Sequence, residues 1–467
     1  MIQTLINVFK IPELRTKILF TLGMLVVFRV GHVIPVPGVN QAELAKQFSH
    51  AAQQGSAFGK VAQFMAIFSG GSLSRSTIFG LGIMPYITAG IIFQLLTSVM
   101  PQLKKLQDEG PTGRIKIMEY TRYTTVALCV VQGVGWLTYL GKLNLIYTQY
   151  YASPVWWLMA IGALTAGSVF LMWLGEQIDK HGIGNGASMI IMAGILAGIP
   201  KAIQMVHSNF DPTDPGKMGW MAVITLVAGF VGVVAGAVIM TVAQRRIPVQ
   251  QAKHTRGRKV YGGQRSYLPL RVNHGGVMPI IFASSLMIFP TVIFTQLKEF
   301  TAGSGVVKEG FWGHVWTFFS DNFHPGGFLY IVCYVLMIYF FSYFWITVQF
   351  NPEEMSKNLK EHGSFIPGLR PGPRTAEYLE VVMNRITFVG AAFLAIVAVL
   401  PTVVNTSMNI DFSVTQFLGG TGLLIVVSVC MDFLQRVEAN LLMRNYSGFL
   451  GGGEEGGGGP KLAGPRF

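Results

Sequence analysis

The chain has 467 residues, 51% of them hydrophobic and only 12% charged, with a formal net charge of +13. A soluble domain carries about a quarter charged residues. The deficit excludes an ordinary soluble enzyme and places the chain among proteins that cross a membrane many times.

The first apolar run, Ile18 to Val36, ends in HVIPVPGVN and lacks a small-residue cleavage site. It reads as a retained span, not a cleaved signal. About ten spans follow one another, at 18–36, 77–99, 123–141, 155–174, 186–204, 218–242, 275–296, 328–349, 386–404 and 415–434. Most of the 35 lysines and arginines lie before the first span, after the second, fourth, sixth and eighth, and in the tail. The richer side is cytoplasmic by the positive-inside rule, so both termini are expected there. Cys129, Cys333 and Cys430 all fall within apolar runs and read as small buried hydrophobes, with no disulfide or metal framework.

FSGGSLSRST (68–77) then belongs to the external half, after VAQFMAIF (61–68), which is too short to span. On pattern alone an ordinary flexible loop is the simpler reading. A half-helix folding back toward the membrane is the other, because irregular backbone is tolerated at membrane depth where it lines a cavity.

IMPYITAGIIF (83–93) in the second span and VMPIIFASSLMIF (277–289) in the seventh share a Met-Pro start, then aliphatic and small residues. Five spans separate them, so the two helices run in opposite directions, as in an inverted-topology repeat. The match is short enough to arise by chance.

Ionisable residues are nearly absent from the interior. Arg29 lies inside the first span, and Glu176 and Asp432 stand at span ends. Gln94, Gln132, Ser284 and Ser285 are polar but uncharged, and interhelical hydrogen bonding is their plain reading. Ile83 and Ile87 share one helix face, and Ile281 follows the second Met-Pro. A ring of such residues can close a pore to ions while staying deformable, although packing or lipid contact is the ordinary role of an isoleucine. No GxxxxGK[ST], HExxH or paired-cysteine pattern is present, and GIGNG (182–186) reads as a turn entering the fifth span.

Loop 244–274 holds eight basic residues and no acid. Charge that merely sets topology would explain part of this. A docking surface for RNA, acidic protein or anionic lipid would explain more. Loop 350–385 is mixed in charge and broken by prolines, and the tail GGGEEGGGGPKLAGPRF is low-complexity.

Taken in order, several stretches resemble the SecY/Sec61-alpha family, the channel subunits of protein translocases. They are FKIPELRTKILFTLGMLVVFRVGHVIPVPGVN, FSGGSLSRSTIFGLGIMPYITAGIIFQLL, YTRYTTVALC, FLMWLGEQIDKHGIGNGASMIIMAGILAGIP, RGRKVYGGQRSYLPLRVNHGGVMPIIFASSLMIFP, FNPEEMSKNLKEHGSFIPGLRPGPRTAEYLE and GGTGLLIVVSVCMDF.

The resemblance implies an all-α membrane fold of ten transmembrane helices in two inverted-repeat halves, spans one to five and six to ten, around an hourglass pore. It turns FSGGSLSRST into a plug half-helix, within 61–76, carried by Ser69, Gly70, Gly71, Ser72, Leu73, Ser74 and Arg75. It implies a pore ring of Ile83, Ile87, Ile191, Ile281 and Ile425, and a lateral gate between spans two and seven with Gln94, Ser284 and Ser285 as gate polar residues. Arg256, Arg258 and Arg370 match partner-docking arginines.

The implied division is a cytoplasmic segment 1–17, a half 18–204, an external hinge 205–217, a half 218–434 and a tail 435–467. The implied function is a passive protein-conducting channel that translocates unfolded preproteins and releases membrane proteins sideways into lipid. No catalysis, cofactor or metal is implied. The implied partners are SecE and SecG, the SecA ATPase, the ribosome, preprotein signal sequences, SecDF and YidC, and anionic lipids. The implied setting is a bacterial inner membrane, with a plastid thylakoid as second choice. A solute transporter with inverted repeats would need a midplane polar site, and a purely structural ribosome receptor would leave the plug-like segment without a purpose.

Overall fold

A computed structural model describes residues 11–44, 46–47, 70–71, 73–211, 218–251, 254–256, 259–261, 265–303, 315, 317–319, 322–323, 327–408, 414 and 420–450. Ser72 and Arg258, all of 61–69 including Ser69, residues 212–217 of the expected hinge and the end of the tail lie outside these residues.

The fold is a bundle of long helices: α1 (Pro12–Gly31), α2 (Met84–Val99), α3 (Pro101–Asp108), α4 (Pro111–Lys142), α5 (Pro154–His181), α6 (Gly186–Asn209), α7 (Trp220–Val242), α8 (Met278–Gly303), α9 (Phe328–Gln349), α10 (Pro352–Glu361), α11 (Pro373–Met408) and α12 (Thr421–Leu450). Proline opens many of them. Pro12, Pro85, Pro101, Pro111, Pro154 and Pro352 stand in first turns, where their missing N–H costs nothing and their fixed φ favours the helix. The α6 start is capped by Asn185, whose side chain accepts the N–H of Ser188 at 3.0 Å, and Asp179 of α5 accepts the N–H of Gly186 at 2.7 Å.

Each expected span coincides with a helix, but the limits move. By length and apolarity, six helices among the described residues can cross a membrane, and seven if α2 and α3, bent by 99° at Met100, count as one. The first helix stops at Gly31, short of Val36, because Pro35 and Pro37 cannot continue it. The second starts at Met84 instead of 77, since Gly80 and Gly82 lie in turns and Gly82 has φ +62°. The ninth begins at Pro373 instead of 386, so the loop expected at 350–385 is shorter. Its added turns are amphipathic: Leu379, Val382 and Met383 are buried in a separate core with Ile247, Val249 and Leu270.

That core roofs a sheet the sequence reading lacked. β1 (Gln244–Gln251) pairs antiparallel with β4 (Arg265–Arg271), Ile247 opposite Leu268, and with β5 (Ser364–Phe365), Gln250 opposite Phe365. Between β1 and β4, β2 (His254–Arg256) and β3 (Lys259–Tyr261) form a small second ribbon. The two large loops are therefore joined by one sheet.

The helices pair in a repeating pattern. In the first half α2 packs on α4, α4 on α5, α5 on α6, and α1 on both α5 and α6. In the second half α8 packs on α9, α9 on α11, α11 on α12, and α7 on both α11 and α12. Among the described residues, the main packings between the two halves are α2 on α8 and α6 on α12.

Candidate functional site: an apolar waist, its seal and its gate

The helices that join the halves carry all five candidate ring residues. Ile83 caps the N-terminus of α2 and Ile87 lies one turn on, Ile191 is in α6, Ile281 in α8 and Ile425 in α12. Ile83, Ile191, Ile281 and Ile425 are at most 2% exposed. All four belong to one apolar cluster, and half-buried Ile87 packs against it. Their buried neighbours in that cluster include Met192, Val277, Ile280 and Leu424. These positions on α2, α6, α8 and α12 thus form one apolar surface. Aliphatic side chains of this kind offer a hydrated ion no ligands and make no fixed hydrogen bonds.

The starts of α2 and α8 share a backbone device. Gly82-Ile83-Met84-Pro85 opens α2 and Gly276-Val277-Met278-Pro279 opens α8. Gly82 has φ +62° and Gly276 φ +59°, the left-handed region that glycine enters without steric cost. The repeated Met-Pro noted in the sequence therefore extends to a repeated turn.

The described part of FSGGSLSRST is packed into the first half. Gly70 and Gly71 have φ +64° and +85°, then Leu73–Arg75 make a single 3-10 turn, with Leu73 buried and Arg75 exposed. Ser74 falls inside that turn. Leu73 joins a core with Trp136, Leu137, Leu140 and Leu164. Trp136 donates to the Ser76 hydroxyl at 3.3 Å, Val36 N–H donates to Ser76 O at 2.9 Å, and Ile78 N–H donates to Ile34 O at 3.0 Å. The carbonyl of Gly70 lies 3.2 Å from His32 Nε2. A Cβ on Gly70 would come 2.8 Å from Gly194 Cα of α6. Small residues on both sides let the segment sit against α6, one turn beyond Ile191.

Of the gate candidates, Gln94 lies on α2, and Ser284 and Ser285 lie on α8. Ser284 and Ser285 are buried, and both hydroxyls donate to Ile281 O, at 2.9 and 2.7 Å. Gln94 is half-buried, and its carbonyl accepts the Thr97 hydroxyl at 2.9 Å. The serines satisfy themselves on their own helix. Hydroxyls paired this way cost little to separate from a neighbour, because parting leaves no orphaned donor.

Of the docking candidates, Arg256 ends β2 opposite Lys259. Arg370 is exposed in a turn between Gly368 (φ +86°) and Gly372 (φ +129°), and its carbonyl accepts the Thr375 hydroxyl at 2.9 Å. Arg245, Arg246, Arg265 and Arg271 are exposed on β1 and β4, and β5 ties their sheet to the chain leading into the Arg370 turn. One expectation fails. Cys129 is buried and Cys333 half-buried, but Cys430 is exposed, because Val429 takes the inward position beside it.

A SecY family model matches residues 77–434. The protein translocase subunit SecY of Escherichia coli K12 is 41% identical over 442 residues, covering 94% of each chain. That of Thermotoga maritima is 39% identical over 449 residues, covering 96% of this chain and 97% of the relative. Among solved structures, one described as a protein-conducting channel superposes with a TM-score of 0.60 at 18% identity, covering 93% of this chain and 94% of that one. A SecY structure described for its plug domain gives 0.58 at 21% identity with the same coverage. Those two likenesses speak for the fold, and the sequence relatives for the lineage: the chain belongs to the SecY family.

Proposed function

We propose that the chain is a passive protein-conducting channel, through which unfolded preproteins cross the membrane and membrane segments leave sideways into lipid. The observation that carries this is the burial of Ile83, Ile191, Ile281 and Ile425 in one apolar cluster, with Ile87 against it, at the two packings that join the halves. Aliphatic side chains grip no sequence in particular, so any polypeptide can slide past them. The same surface excludes ions when no chain is present.

The division into halves 18–204 and 218–434 with an inverted relation is supported by the recurrence, five spans later, of the packings of α2 on α4, α4 on α5, α5 on α6, and α1 on α5 and α6. It is supported again by the paired left-handed glycines. In this reading the segment around Gly70–Thr77 is the plug that seals the external funnel. A signal sequence wedges α2 from α8, the plug leaves, and the halves part about the 205–217 hinge.

Energy comes from outside the chain, from the SecA ATPase or from ribosomal synthesis, since the channel subunit is not itself an enzyme. The exposed arginines of the cytoplasmic sheet, with Arg256, Arg258 and Arg370, form the face that such partners meet. SecE and SecG complete the complex, SecDF, YidC and anionic lipids assist it, and a bacterial inner membrane with both termini cytoplasmic is its setting. The test is reconstitution with a SecE-like partner and SecA. A preprotein should gain protease protection only when ATP is present, and absence of protection with an active SecA would refute the reading.

A further inference from the structure

The stretch VNHGGVMP (272–279) carries the chain from the cytoplasmic sheet into α8 with no slack. Val272 N–H donates to Ala243 O at 2.9 Å, closing the hairpin. A Cβ on Gly390 of α11 would lie 2.8 Å from Val272 O, and one on Gly275 would lie 3.2 Å from Trp345 of α9. Gly276 then turns the chain at φ +59°. Any shift of β4 must therefore reach α8 through the six residues 272–277.

His274 sits at the centre of this joint. Its ring meets Phe350 edge-on at 6.4 Å. It borders a cavity of about 10 Å³ that is also lined by Asn273, Ser342, Thr387 and Leu394. Such a space is barely enough for one water molecule. Nδ1 is buried and has no hydrogen-bond partner among the described residues. Ser342 and Thr387 donate to Ile338 O and Met383 O, each at 2.7 Å, so their oxygen lone pairs stay available.

We propose that His274 is a positioning residue: its neutral ring holds the end of β4 against α9 and α11, and taking up a proton loosens this joint and biases α8 toward opening. The second half of this statement rests on α8 being a gate helix, as read above. A protonated Nδ1 would be a buried donor without an acceptor. It can pair only by turning toward Ser342 or Thr387, which moves the β4 end relative to α8. None of the residues lining the cavity on α8, α9 or α11 is charged, and Arg271 at the end of β4 is the charge that acts on the ring. Burial first, and then Arg271, push the His274 pKa below its ordinary value. The folded state thus resists the proton. The contribution of His274 to stability is full above the unfolded value of about 6.5 and falls as pH drops from there toward the folded value.

Two readouts on the chain reconstituted with a SecE-like partner test this, with His274→Met and His274→Gln as variants that cannot titrate. The first is Tm in detergent, which involves no preprotein. Between about pH 7.5 and about pH 5 the native chain should lose roughly 1–2 °C more than either variant. The second is ion conductance in planar bilayers over the same range, which should rise about two-fold or more in the native chain and stay flat in the variants. If either variant folds and keeps the native pH profile in Tm, the joint does not titrate through His274 and the proposal is overturned. If Tm follows the prediction but conductance does not, the coupling to α8 is overturned. A failure to translocate preprotein would strike the channel reading alone, since the Tm profile is independent of it.

Discussion

Arg122 of α4 grips Glu176 of α5 with both prongs of its guanidinium, Nε to Oε1 at 2.8 Å and NH2 to Oε2 at 2.6 Å. The Glu176 side chain is 12% exposed and that of Arg122 37%. Two parallel charge-assisted bonds fix the angle between the helices that back α2, the gate helix of the proposed channel.

Glu176→Gln should therefore cost about 1–2 kcal/mol, less than a fully buried pair because Arg122 remains partly wet. Thermal unfolding of the purified complex checks the loss. The swap Arg122→Glu with Glu176→Arg should recover part of it. A double variant no better than the worse single one would show that the two side chains do not act as a pair.

Ile281→Asn and Ile425→Asn each place an amide in the apolar waist, where it finds no ready partner. Each should cost about 1–3 kcal/mol. Because the loss falls on the sealed arrangement, resting ion leak should rise and defective signal sequences should be accepted. Conductance and export of a signal-defective preprotein measure the two effects, and unchanged values in both would remove these isoleucines from the ring.

Gly276→Ala meets no atom within 4 Å, so its whole penalty is the left-handed backbone, about 1–2 kcal/mol. Gly276→Asn should cost less, since asparagine tolerates that region. Gly82, the equivalent turn before α2, should rank Ala and Asn in the same order. Equal stability for Ala and Asn at both positions would mean that the turn relaxes freely.

Gly70→Val adds a branched side chain where a single Cβ already lies 2.8 Å from Gly194 Cα, at φ +64°. The segment should be displaced from α6, and protease sensitivity near Gly71 should rise. Gly194→Val should do the same from the opposite wall. A fully protected segment in both variants would contradict the packing described.

The long helices were legible because an apolar run of membrane length admits little else. What blurred was their ends. The extra turns of α11 before the ninth span are amphipathic, so an apolar window passes over Leu379 and Met383. The sheet was hidden by Pro248 and Pro269, which argue against strands. Yet β4 lies at a sheet edge, and β1 meets its other neighbour only at Gln250 and Gln251. The alternation of Ile247 and Val249, both inward, was the available clue. The candidate ring isoleucines look like any others along the chain. That Ile191 and Ile425 share an apolar cluster with Ile83 and Ile281 could not be read locally, because nothing in the sequence says that α6 and α12 meet. Glu176 was visible as an acid at a span end, but its partner could not be named until α4 and α5 were side by side.

The pairing of β1 with β5 has a bearing on the order of synthesis. The first strand is made directly after α7, while its second neighbour, Ser364–Phe365, follows α8, α9 and α10. A hairpin without that neighbour has an open edge, which is prone to pairing with the wrong strand. The surface that bears Arg370 beside the basic hairpin thus comes into being late, so a half-made chain presents a different face from the finished one.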